Sequence, residues 1–279
     1  MDGILTLLRS LIPKTLRRAL REALNRRICS LGYVPFDAER HYAEDGLFSV
    51  HNDAFRREPR FQQAYARGVS ASHGLDPQFS WRMHVALWAA SVAVQAPGDF
   101  VECGVNAGMI SSGIMQYLDW SKLPKKFFLI DTFAGPVLEQ FSDEEHRSGW
   151  VSLVEGKVAA GGYVTDMERV RANFAEWPNA VVVQGVVPEI LPSVGASQVA
   201  FLHLDLNCAA PELAALEYFW ERMPAGGVVL LDDYAYHGMN AQKQAVDDWA
   251  GGTGAAVLSL PTGQGLIVRS HRCAVLKPF

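Results

Sequence analysis

The sequence predicts an α/β fold, a mostly parallel sheet with helices on both faces, preceded by a helical amino-terminal extension. Three observations predict it. From residue 99 onward, short apolar runs alternate with helical patterns, as βαβ units require. Several of these runs end in an acid or a glycine, where an open sheet of this kind binds its ligand. The chain has 279 residues, of which 49% are hydrophobic and 20% charged, so it can bury a sizeable core.

Residues 1–31 form the first region. They hold seven Arg or Lys and two acids, a local +5 that leaves −10 for the rest of a chain of net charge −5. Ile4, Leu8, Leu11, Leu16, Leu20, Leu24 and Ile28 recur at helical spacing, and Pro13 interrupts the run. One reading is a helix lying on an anionic membrane surface. The plainer reading, which we favour, is a docking or oligomerisation helix, and the expectation is a homo-oligomer. Arginines break up the apolar stretch, so it does not read as a secretory signal.

Residues 32–98 form the second region, irregular and helical, and suited to cover a site. Val85, Ala89 and Val92 fit the buried face of a helix that Pro97-Gly98 ends.

Residues 99–279 carry the sheet. The first strand is Asp99 to Cys103, followed by Gly104, Gly108 and a helix with Met109, Ile110, Ile114 and Met115 apolar. The second is Lys126 to Ile130, ending at Asp131. The third is Ala180 to Gln184, and the fourth is Val199 to Leu204, ending at Asp205. A helix starts near Pro211, a favoured first-turn residue. The fifth strand is Val228 to Leu231, ending at Asp232-Asp233; a helix over Lys243 to Ala250 and two closing strands around Pro261 to Gly265 complete seven strands. Residues 133–178 are too long for a plain connection. They should hold a helix over Asp166 to Trp177 and a loop or lid.

Composition excludes several classes. No apolar run approaches the roughly 20 residues that a membrane-crossing helix needs. A net charge of −5 argues against a nucleic-acid partner. Cys29, Cys103, Cys208 and Cys273 are scattered without metal-type spacing, so neither a zinc site nor a disulfide framework is expected. The expected setting is reducing and cytoplasmic.

The chemistry should lie at the strand ends. Gly104 and Gly108 permit close backbone approach to a ligand ahead of a helix amino terminus, although the full GxGxxG pattern is absent. Glu102 would repel a pyrophosphate and attract a ligand with cationic groups, such as S-adenosylmethionine. Asp131 stands where a carboxylate accepts bonds from ribose hydroxyls, or else caps its own turn. Asp205, Asp232 and Asp233 converge from two strands and are suited to a hard divalent cation. Neighbours on a strand point to opposite faces, so Asp232 and Asp233 can share an ion only if the chain turns there. His203 and His237 are candidate bases. Trp81, Arg82, Tyr234 and Tyr236 could line a pocket or serve packing alone.

Four stretches carry a resemblance: Asp99-Phe-Val-Glu-Cys-Gly-Val-Asn-Ala-Gly108, Ile130-Asp-Thr-Phe-Ala-Gly135, Phe201-Leu-His-Leu-Asp205 and Gly226-Gly-Val-Val-Leu-Leu-Asp-Asp-Tyr234. Over residues 80–270 the chain resembles the macrocin O-methyltransferase family, class I methyltransferases with a Rossmann-like sheet of seven strands. The resemblance implies S-adenosylmethionine held by Glu102, Gly104, Asn106, Gly108, Asp131 and Thr132. It implies Mg²⁺ held by Asp205, Asp232 and Asp233, and methylation of a sugar hydroxyl on a glycosylated small molecule. One departure matters. Many members carry a second aspartate two residues after the strand-end ligand, and it takes the substrate proton; here that place is Asn207. The catalytic candidates are therefore Asp205, Asn207 and His237. The alternatives are a non-sugar acceptor, or a non-catalytic protein that binds the cofactor on a methyltransferase scaffold. A nicotinamide oxidoreductase is disfavoured by Glu102 and the acid cluster.

Overall fold

The computed structural model describes Arg27 and residues 42–270. Apart from Arg27, the basic segment 1–31 lies outside the described residues, as do Cys29 and Cys273. The chain divides into two compact units, one of residues 1–43 and 48–52, the other of residues 44–47 and 53–279. The second holds the site and is described here.

Its elements follow a two-stranded hairpin, β1 (Tyr42–Glu44) and β2 (Leu47–Ser49). They run α1 (Pro59–Ala71), α2 (Ser80–Ala93), β3 (Asp99–Cys103), α3 (Met109–Tyr117) and β4 (Phe127–Asp131). Next come α4 (Asp143–Arg147), α5 (Trp150–Ala159), α6 (Met167–Asn173), β5 (Ala180–Gln184) and β6 (Val199–Leu204). The last are α7 (Ala209–Trp220), β7 (Val228–Leu231), α8 (Asn240–Thr253), β8 (Leu258–Ser259) and β9 (Gly265–Val268).

The seven-stranded sheet has the order β5-β4-β3-β6-β7-β9-β8. Pairs from β5 to β7 are parallel, and β9 joins both β7 and β8 antiparallel. The inner parallel strands β3, β4, β6 and β7 are buried on both faces, which is why they read as apolar runs, and the edge strand β5 is half-buried. Alternate residues feed two cores. Phe100, Phe127, Leu129 and Leu230 join one with α1, α2 and α3; Val101, Phe128, Ile130 and Val229 join the other with α7 and α8. Phe100 centres an aromatic knot, 4.9 Å from Trp120, 5.6 Å from Phe127 and 5.0 Å from Phe201.

Two differences from the sequence reading concern helices. In α2 the buried residues are Ser80, Arg82, Met83, Ala86, Leu87, Ala89, Ala90 and Ala93, while Val85 and Val92 are half-buried. The helix lies against α3 and the sheet at once, so its buried arc is wider than one stripe. Residues 133–178 hold three helices (α4, α5 and α6) instead of one, and α6 starts after an Asp166 cap. Among the described residues, no helix is long and apolar enough to cross a membrane.

Candidate active site

The carboxyl ends of β3, β4, β6 and β7 meet at one edge, and residues 133–164 pack over it. Gln140 donates to the Val187 carbonyl at 2.7 Å, and Trp150 Nε1 donates to the Asn207 carbonyl at 3.0 Å. Glu145 closes a capping box with Ser142 and accepts from the Ala209 amide at 3.0 Å, at the start of α7. A cleft with about 540 Å³ of open space lies beneath. Gly104, Asp131, Thr132, Gly135, Val137, Tyr163, Val187, Asp205 and Asn207 are among its lining residues.

The glycine loop shapes the cleft floor. Gly104 has φ +89°, and a Cβ there would stand 1.8 Å from the Asp205 carbonyl oxygen. The ends of β3 and β6 can approach this closely only because residue 104 has no side chain. A Cβ on Gly108 would meet the Phe174 ring at 2.4 Å. Asp131 Oδ2 accepts from the Val105 and Asn106 amides, both at 2.8 Å, and Oδ1 accepts from the Phe133 amide at 2.8 Å. Its carboxylate thus ties the loop after β3 to the end of β4, as the capping reading expects. Thr132 donates to the Gly135 carbonyl at 2.7 Å. Asn106 accepts from the Val164 amide at 2.9 Å and donates to the Gly162 carbonyl at 3.3 Å. Segment and loop are hooked together there.

Glu102 does not line the cleft. It is buried beside its register partner His203, with Oε1 2.8 Å from His203 Nδ1. His203 Nε2 lies 3.6 Å from Asp232 Oδ1, which accepts from Gln264 Nε2 at 2.8 Å. Burial pulls the imidazole down, but Asp232 and Glu102 outweigh it and push His203 up to about 10. Both carboxylates favour the imidazolium, and the ring is buried and does not line the cleft, so it is not placed to act on a substrate there.

The chain bends at Asp232-Asp233, so both acids reach one partner. That partner is Arg82. Its Nη1 donates to Asp232 Oδ2 at 2.5 Å and lies 3.3 Å from Asp233 Oδ1, and its Nε donates to Asp45 Oδ2 at 2.6 Å. The guanidinium also stacks 4.4 Å from the Tyr236 ring centroid, and the Tyr236 hydroxyl donates to Asp45 at 3.1 Å. Burial alone would raise the Asp232 carboxyl; Arg82, then His203 and Gln264, hold it below the usual range. Asp233 is pushed up to about 6, by burial first and then by Asp232.

Asp205 is held well above the ordinary carboxylate range, by burial and then by Asp232 and Asp233. Its Oδ1 accepts from Asn207 Nδ2 at 2.8 Å. The Tyr163 hydroxyl is buried in the cleft with no hydrogen-bond partner among the described residues. Lys157 stands 4.7 Å from the Tyr163 ring centroid. His237 is exposed in the loop after Asp233 and is not among the lining residues.

The structure therefore brings Asp205, Asn207, Gly104, Asp131 and Thr132 to one cleft. It gathers Asp232 and Asp233 around Arg82 and leaves His237 apart. Sequence reasoning left Arg82 undecided and missed Tyr163, Lys157 and Gln264. A signal for Arg82 existed. It is the one Arg, Lys, Asp or Glu in an otherwise apolar helix, and a buried charge requires a buried counter-charge.

The family model for macrocin-O-methyltransferase (TylF) matches residues 82–254. The chain is 29% identical over 160 residues to 8-demethyl-8-(2,3-dimethoxy-alpha-L-rhamnosyl)-tetracenomycin-C 4'-O-methyltransferase of Streptomyces olivaceus. That match covers 56% of this chain and 59% of the relative, so the chain spans about three fifths of the curated relative's length. Among solved structures, the O-methyltransferase NovP superposes with a TM-score of 0.60 at 19% identity, covering 74% of this chain and 88% of NovP. The calicheamicin methyltransferase CalS11 gives 0.51 at 16% identity, covering 78% and 94%. The fold is that of class I O-methyltransferases, a mostly parallel seven-stranded sheet with helices around it.

Proposed function

The chain belongs to the macrocin O-methyltransferase family, and from that premise we propose that it transfers a methyl group from S-adenosylmethionine to a hydroxyl of a glycosylated small molecule. The observation that carries the reading is geometric: Asp205, at the end of β6, borders the same strand-end cleft as Gly104, Asp131 and Thr132. The relative's printed name supports a sugar hydroxyl as the acceptor.

The cleft residues fit the cofactor. Val137, Val186 and Val187 offer apolar wall for a flat base. The unpartnered Tyr163 hydroxyl offers a donor inside the cleft. Gly104, Asn106, Asp131 and Thr132 would hold the cofactor from the floor, with Gly108 shaping the turn. When bound, the cofactor supplies an electrophilic methyl on a sulfur that leaves as a neutral thioether.

The Mg²⁺ that the resemblance implies does not fit the acids as they stand. Arg82 lies against Asp232 and Asp233, and among the described residues no group of three acids, histidines or cysteines is arranged to hold a metal. In this reading a side chain takes the proton. Asp205 takes it as the acceptor oxygen bonds to the methyl carbon and the carbon–sulfur bond breaks. A carboxylate held above its ordinary range is a stronger base and suits this task. Asn207 cannot take a proton; its amide donates to Asp205 Oδ1 and orients that carboxylate. The helical segment over the cleft keeps water out and the reacting atoms in line.

The test is calorimetric binding of S-adenosylmethionine alongside turnover on a rhamnosylated acceptor. Asp205→Asn is expected to bind the cofactor and lose about 10²-fold or more in turnover, the usual range for a general base. Unchanged turnover removes Asp205 from the role, and no cofactor binding overturns the reading. Asn207 favours a second reading, a non-catalytic cofactor binder, and wild-type turnover separates the two.

A further inference from the structure

We infer that the Arg82 guanidinium is the resident cation of the Asp232–Asp233 pair, and that this chain takes up no divalent ion there. The inference rests on occupancy of the oxygens. A divalent ion at this pair would need carboxylate oxygens at about 2.0–2.6 Å. Asp232 Oδ2 is taken by Arg82 at 2.5 Å and Oδ1 by Gln264 at 2.8 Å. Asp233 Oδ1 faces both terminal nitrogens of Arg82, at 3.3 and 3.4 Å. The third acid, Asp205, has one oxygen bound to the Asn207 amide at 2.8 Å.

Arg82 is not a side chain that has merely drifted into the gap. It is anchored from three other directions. Asp45 takes its Nε, the Asp232 carbonyl accepts from Nη1 at 3.1 Å, and the Tyr236 ring covers its face at 4.4 Å. Its side chain is only 7% exposed. Turning it out would strand a guanidinium that cannot lose its charge. It would also break the ion pair with Asp45 and uncover the Tyr236 ring. A second residue acts in the same direction. Asn207 carries no charge where the resemblance implies an acid, so the edge has less negative charge for an ion to neutralise. Arg82 is thus a positioning residue. Its ion pairs fix the positions of the two acids.

The test is Mn²⁺ titration of the chelator-treated full chain, read by electron paramagnetic resonance, with wild type, Asp233→Asn and Arg82→Gln. It needs no turnover, so its failure and the failure of the methyl-transfer reading are distinguishable. Wild type and Asp233→Asn are expected to take up equally little Mn²⁺ up to about 1 mM, a weak-binding limit. Arg82→Gln is expected to gain one site, at least tenfold tighter. Wild-type uptake that Asp233→Asn abolishes overturns the inference. So does a folded Arg82→Gln that gains nothing. If Arg82→Gln does not fold, wild type against Asp233→Asn decides.

Discussion

The strand-end edge has two halves, and they are built on opposite terms. At the ends of β3 and β4, Gly104, Asp131 and Thr132 border open space, and the Tyr163 hydroxyl nearby has no hydrogen-bond partner among the described residues. At the end of β7, Asp232 and Asp233 are buried under Arg82, Gln264 and His203. Asp205, at the end of β6, sits where the two meet. The difference separates two uses of charge. Acids that already hold cations set the electrostatics of the edge, and groups left open are available to a ligand.

The largest effect should come from breaking the closed half. Arg82→Met takes the guanidinium away from the buried Asp232 and Asp233 and from the part-exposed Asp45. Losing one partner of a buried pair costs about 3–5 kcal/mol. Thermal unfolding should show a drop of roughly 6–20 °C; a shift under a few degrees would mean that the acids rearrange without loss.

The junction comes next. Gly104→Ala forces a Cβ onto the Asp205 carbonyl and strains a positive φ. A cost of about 3 kcal/mol is expected, at the upper end of ordinary substitutions, with weaker cofactor binding. Cofactor affinity equal to wild type would show that β3 and β6 can part at no functional cost.

The closed half should also respond to pH. The folded-state pKa of His203, about 10, lies above its ordinary value of 6.5. Its contribution is therefore complete below pH 6.5 and lost as pH rises towards 10. Asp232 has the opposite sign: its folded value is depressed, so its contribution is lost as pH falls below the ordinary carboxylate range. Melting temperature against pH should decline at both ends, and His203→Gln should flatten the alkaline limb. An alkaline limb unchanged in that variant would assign it elsewhere.

The smallest effect belongs to the open half. Asn106→Ala removes two bonds to residues 162 and 164, a cost of about 1 kcal/mol. Hydrogen exchange should quicken at residues 160–165 and little elsewhere.

The fold was legible where burial is complete. Asp99 to Cys103, Val199 to Leu204 and Val228 to Leu231 are strands over those same residues, and so is the half-buried edge strand Ala180 to Gln184, whose β-branched run marks it. Strands covered on both faces must be apolar throughout, and turn residues bracket them. Asp131, Asp205 and Asp232-Asp233 were legible as strand-end acids for the same reason. Their partners were not. Arg82 lies 150 residues from Asp232, and no local pattern joins them. Glu102 was read as facing a ligand, yet it pairs with His203 across the strand register, a contact that only sheet order creates. The three helices of residues 133–178 are short, and short helices are fixed by tertiary contacts more than by their own sequence.

The hook of Asn106 on Gly162 and Val164 bears on traffic through the cleft. It fastens the wall above to the floor below, so the two move as a single hinge leaf. Under the methyl-transfer reading, the two bonds would lengthen the stay of a spent cofactor, and Asn106→Ala should quicken its release.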